Sequence, residues 1–69
     1  MNPAIEHVLQ YFAYDHLPEH LQGVSAPFGN LAKWIAEEHP NSRETTIALR
    51  KLLEAKDATV RAALDKSSN

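Results

Sequence analysis

Residues 11 to 18 read Tyr-Phe-Ala-Tyr-Asp-His-Leu-Pro, a run of aromatic rings closed by a carboxylate and an imidazole. Four of the five aromatic residues lie between positions 11 and 28, and two of the four histidines stand at 16 and 20. Flat rings beside hydrogen-bonding groups suit a planar, polar ligand such as a nucleobase. Tyr11 and Tyr14 are three apart and would share a face with Val8 if a helix continued through them. They are then either core-edge rings with wet hydroxyls or, in the case of Tyr14, a stacking platform.

Other chemistries are open to neighbouring residues. His16 and His20 have the spacing of two zinc ligands on one helix face, but Pro18 lies between them and only Asp15 is at hand as a third ligand. Asp15 and His16 form a potential acid–base pair, although adjacent loop residues rarely converge in a dry cleft. The segment Ser25 to Gly29 reads as the opening of a helix, whose free amides and partial positive charge suit phosphate. The plainer reading is a capped helix in which Gly29 permits close packing. Arg43, Arg50, Lys51, Lys56 and Arg61 fall on one long helix, where most charges are solvated or paired. In a symmetric oligomer, one arginine from each protomer could instead ring an axis and collect a multiply charged ligand.

The elements that must position these groups are helical. Asn2-Pro3 is a capped start, and Ile5, Val8, Leu9 and Phe12 share one face, predicting a helix over about 3–12. Pro18 and Gly23 predict a loop over about 13–24, with room for one turn at 18–22. Ser25 then caps a second helix with Pro27 in its first turn and Phe28, Leu31, Ala32 and Ile35 as its apolar face. Trp34 flanks that face, and the helix stops at His39 before Pro40. Asn41 with Glu44 resembles a capping box for a third helix over about 42–65, with an Asp57–Arg61 pair at i, i+4. The tail from 66 to 69 is expected to fray. The short turn at 39–41 makes helices two and three antiparallel neighbours. Expected overall is an all-α fold: a short N-terminal helix, a loop, and an antiparallel helical hairpin spanning 1–69 as one domain.

The apolar positions of the third helix, from Ile47 to Leu64, cover more surface than one antiparallel partner needs. Alanine's helix propensity alone could account for part of this. The reading preferred here is close packing against a second protomer. With 69 residues and no cysteine, the chain has no disulfide to supplement a small core, and self-association is the remaining source of stability. A net charge of −2 argues against a DNA or RNA polymer as partner. No stretch approaches a membrane span, and no basic leader precedes an apolar run, so a cytoplasmic protein is expected.

The order of motifs carries a resemblance. Tyr14-Asp15-His16-Leu17-Pro18 is followed by a helix holding Leu31-Ala32. Then come Pro40-Asn41-Ser42-Arg43-Glu44, Ala48-Leu49-Arg50-Lys51-Leu52-Leu53-Glu54-Ala55, and Ala58-Thr59-Val60-Arg61-Ala62-Ala63. Over residues 5 to 64 this resembles the phage anti-CBASS cyclic-nucleotide sponge family, whose helical hairpin domain is shared with the Thoeris anti-defence sponges. The resemblance implies a homo-oligomer, commonly a hexamer. It would sequester cyclic dinucleotides, and in some members cyclic trinucleotides at a separate three-fold site, without cleaving them. No enzymatic activity, cofactor or metal is implied. Tyr14 matches the family's base-stacking tyrosine. The expected ligand site gathers His16, Leu17, Pro18, Ser25, Phe28 and Gly29 around it, with phosphates at the start of helix two. Arg61 or Arg43 would reach a trinucleotide. One departure stands out: family members often carry a basic residue early in the second helix, whereas Ala26-Pro27-Phe28-Gly29-Asn30 holds no charge and the first is Lys33. A helical protein-interaction module with no small ligand is the alternative.

Overall fold

A computed structural model describes residues 2–68, and of 66–68 the backbone only. Three helices form, α1 (Pro3–Leu9), α2 (Glu19–Glu38) and α3 (Arg43–Ser68), with a 3-10 turn (Gln10–Phe12) closing α1. Asn2 caps α1 as its sequence suggests: its side-chain oxygen accepts from the Ala4 amide at 2.8 Å, and Pro3 occupies the first helical position. The 3-10 turn ends the helix at Phe12. Ala13 is extended (φ −61°, ψ 140°), which turns the chain away and sends Tyr14 off the α1 face.

The second helix differs from the expected one. It starts at Glu19, not at Ser25, so the loop shrinks to 13–18. The Pro18 carbonyl accepts from the amides of Leu21 (2.9 Å) and Gln22 (3.1 Å), which begins the helix without a side-chain cap. Gln22 Nε2 donates to the Leu17 carbonyl at 2.8 Å and fixes the loop onto that first turn. Pro27 therefore sits inside the helix. Lacking an N–H, it leaves the Gly23 carbonyl without its helical donor. Both residues lie on the exposed face, where water can take that place. Ser25 lies mid-helix and is buried.

At the other end, His39 leaves the helical region (φ −135°, ψ 66°) just before Pro40, as the restriction on pre-proline residues requires. The cap of α3 is Ser42, not Asn41: Ser42 Oγ accepts from the Glu44 amide at 3.1 Å. Buried Thr45 donates through Oγ1 to the His39 carbonyl at 2.7 Å and ties the connection 39–42 to α3. Helices α2 and α3 pack on each other across this connection in a hairpin-like arrangement, with α1 laid against both. The backbone of α3 continues to Ser68, beyond the expected end at 65, and Asn69 lies outside the described residues. Asp57 pairs with Lys56 at 2.9 Å, not with Arg61.

The core is built from Ile5, Val8 and Phe12 of the α1 segment, Ala32 and Ala36 of α2, and Leu49 of α3. Leu9, Phe28, Ile35, Leu52 and Leu53 pack around it. The α2 contribution is small residues, which lets the helices approach closely. Leu31 and Trp34 are left 46% and 56% exposed, so the buried stripe runs through Ala36 and not through Leu31. The molecule measures 43 × 19 × 16 Å, its long axis matching the roughly 39 Å that a helix of α3's length spans. Among the described residues, no helix is long and apolar enough to cross a membrane.

Candidate functional site

Where the α1 segment, the loop and α2 meet, an open groove of about 460 Å³ forms. Leu9, Phe12 and Ala13 line one side, Tyr14 enters from the loop, and Gly29, Asn30, Lys33 and Glu37 line the α2 side. Its volume falls in the range of small-molecule sites, roughly 300–1,000 Å³. The lining is apolar with a few polar groups, the composition such sites use to orient a ligand.

Tyr14 owes its place to the break after Phe12. Had the helix continued, Tyr11 and Tyr14 would have shared a face. Instead they separate. Tyr11 stays on the α1 segment, exposed, with its ring edge-on to His7 at 5.7 Å. Tyr14, half-buried, crosses to α2 and lies over Gly29. A Cβ at position 29 would stand 3.3 Å from Tyr14 Cε1 and 3.2 Å from the Phe12 carbonyl oxygen, so glycine is what lets the ring and the backbone sit this close. The packing holds the phenol ring against the helix.

Lys33 and Glu37 follow Gly29 at four-residue intervals, so the three lie on one stripe of α2 that runs along the groove. Both charged residues are exposed. Among the described residues the ion pairs are His16–Asp15, Lys51–Glu54 and Lys56–Asp57, and neither Lys33 nor Glu37 enters one. Lysine before glutamate is the less favourable order for a helical pair, in keeping with their separation. The groove thus presents an ammonium and a carboxylate that are both free to meet a ligand.

Of the residues expected at the site, Tyr14 and Gly29 are brought together. Phe28 packs against the core, and His16, Leu17 and Pro18 belong to the loop outside the groove lining. His16 Nδ1 and Asp15 Oδ1 are 4.0 Å apart with both side chains largely open to water, which is not the enclosed setting that acid–base work needs. Among the described residues, no group of three or more His, Cys, Asp or Glu side chains is placed to hold a metal. Ser25 cannot offer a helix-terminal phosphate site, because α2 begins six residues earlier and the amides around it belong to the helix interior. Its Oγ is buried and has no hydrogen-bond partner. Arg61 is exposed on the distal part of α3 and away from the groove lining. Arg43 opens the same helix about 27 Å earlier, so one protomer cannot place both at one ligand.

In the sequence Lys33 is visible only as the first charge after Gly29, Leu9 only as part of an apolar face and Asn30 only as part of an uncharged stretch, while Glu37 carries no signal of its own. The periodicity 29, 33, 37 is the signal that finds the charged pair once Gly29 is set inside a helix. Comparison of the chain with protein-family models, with curated proteins and with solved structures gives no match.

Proposed function

We propose that this protein binds and sequesters cyclic oligonucleotides, cyclic dinucleotides first among them, and returns them unchanged. The observation that carries the reading is the groove in which the Tyr14 ring, seated on Gly29, adjoins Lys33 one helical turn away. A base stacks on the phenol, the ammonium meets a phosphate oxygen, and Leu9 and Phe12 shield the contact from water. Lys33 also supplies the basic group that the uncharged stretch Ala26-Pro27-Phe28-Gly29-Asn30 lacks. Stacking on an aromatic side chain is worth about 1–3 kcal/mol per base. A groove lined by one lysine, in a chain of net charge −2, suits a small anion, not a polymer backbone.

The groove is wide open to solvent, not the dry cleft that acid–base or nucleophilic work needs, which supports binding without cleavage. Its openness calls for a second wall, and exposed Leu31 and Trp34 on the same helix supply apolar surface for another protomer. Exposed Ile47 and Leu64 do the same on α3. In this reading the antiparallel hairpin assembles as a homo-oligomer, a hexamer as the family resemblance implies, with dinucleotide between protomers and Arg61 or Arg43 at a separate trinucleotide site. Its biological sense is phage immune evasion in the bacterial host cytoplasm: signal molecules of CBASS-type defence are withdrawn before the effector responds.

The test is incubation with a cyclic dinucleotide, denaturation, and chromatography of the ligand. Retention by the folded protein with intact ligand recovered is expected; cleaved ligand would replace the sponge with an enzyme. The exposed Trp34 and Leu31 favour one other reading, a helical protein-interaction module with no small ligand. Thermal melts separate the two. At a hundredfold excess over Kd a ligand adds about 2.7 kcal/mol, a rise on the order of 10 °C in a domain of this size. A module without a ligand site shows no rise.

A further inference from the structure

Glu37 is the one acidic residue of the groove lining, and a carboxylate beside an anionic ligand is unfavourable unless it meets donors. Its place on α2 suggests which donors. Along the stripe, Lys33 lies about 6 Å and Glu37 about 12 Å from Gly29 by helical rise. The order along the groove is therefore stacking ring, cation, carboxylate, which follows the order base, phosphate, base along a cyclic dinucleotide. We infer that Glu37 reads the second base and that this base is guanine.

Guanine presents adjacent N1–H and N2–H donors on its Watson–Crick edge, and one carboxylate accepts both in a bidentate pair. Adenine offers one amino donor beside the N1 lone pair, which repels the second carboxylate oxygen. Uracil flanks its single N–H with two carbonyl oxygens, which repel it on both sides. Glu37 is exposed and enters no ion pair among the described residues, so no existing contact must break for it to accept a base. Asn30, one turn before Lys33, is too far back along the stripe to share this role. The inference rests on the dinucleotide reading of the groove and adds its specificity.

The experiment is calorimetric titration of the wild-type protein and Glu37→Gln with cyclic di-GMP and cyclic di-AMP, with circular dichroism and melting to verify folding. The wild type is expected to bind cyclic di-GMP at least about tenfold more tightly than cyclic di-AMP. Glu37→Gln sets an amide donor where an acceptor was, so cyclic di-GMP binding falls about tenfold or more. Cyclic di-AMP binding holds or tightens, because a repelling charge has gone. Equal wild-type affinities, or a change of the same sign and size for both ligands in the variant, would overturn the guanine assignment and leave the sponge standing. No binding of either ligand by the folded wild type would remove both.

Discussion

The ring of Tyr14 packs over Gly29, with Cε1 only 3.3 Å from where a Cβ would sit. The contact joins a loop residue to the middle of α2 and holds the groove's tyrosine in place. Glycine in a helix costs about 1 kcal/mol relative to alanine; at position 29, unlike at Gly23, a close contact accounts for it.

Gly29→Val tests that reason. A branched side chain meets both the Phe12 carbonyl and the Tyr14 ring, and the ring must leave. Cyclic dinucleotide affinity is expected to fall about tenfold or more, the share that base stacking supplies, while the helical circular dichroism signal persists. Unchanged affinity in the folded variant would detach Tyr14 from the ligand.

Much of the fold was legible because the helices obey local rules. The Asn2-Pro3 start, the 3.6-residue period of Ile5, Val8 and Phe12, and the stop before Pro40 each follow from one or two neighbouring residues. The start of α2 was not legible, since Gly23 and Pro27 are the usual marks of a loop and here lie within a helix. Packing decided the matter: Leu21 and Ser25 are buried on the same side of α2 as Ala32 and Ala36, and this tertiary contact outweighs one lost hydrogen bond. The same misplacement hid half the site. Tyr14 and Gly29 were visible as residue types, but the Lys33–Glu37 stripe only appears once Gly29 is known to lie inside a continuous helix.

Lys33→Ala removes the groove's cation from an exposed position, so stability should stay within about 0.5 kcal/mol of the wild type. A charge-assisted hydrogen bond is worth about 1.5–3 kcal/mol, which predicts a loss of roughly tenfold or more in dinucleotide affinity. The dependence of affinity on salt should flatten as well. Titration at two ionic strengths checks both. An affinity and salt slope equal to the wild type would show that phosphate is held elsewhere.

Pro27→Ala restores the helical bond to the Gly23 carbonyl and removes the ring's clash with it. Because Pro27 is exposed, nothing is lost from the core. A gain of about 1–3 kcal/mol is expected from urea unfolding. A destabilised variant would mean that the break Pro27 makes in the hydrogen bonding of α2 is needed for packing on α3.

The central claim is that the groove under Tyr14 takes a cyclic dinucleotide, and calorimetric titration of the wild type beside Tyr14→Ala tests it most directly. The expected result is saturable, tight binding by the wild type, with intact ligand recovered after heating. The folded variant should bind at least about tenfold more weakly. Absence of heat with every cyclic dinucleotide tried, or equal binding by Tyr14→Ala, would contradict it.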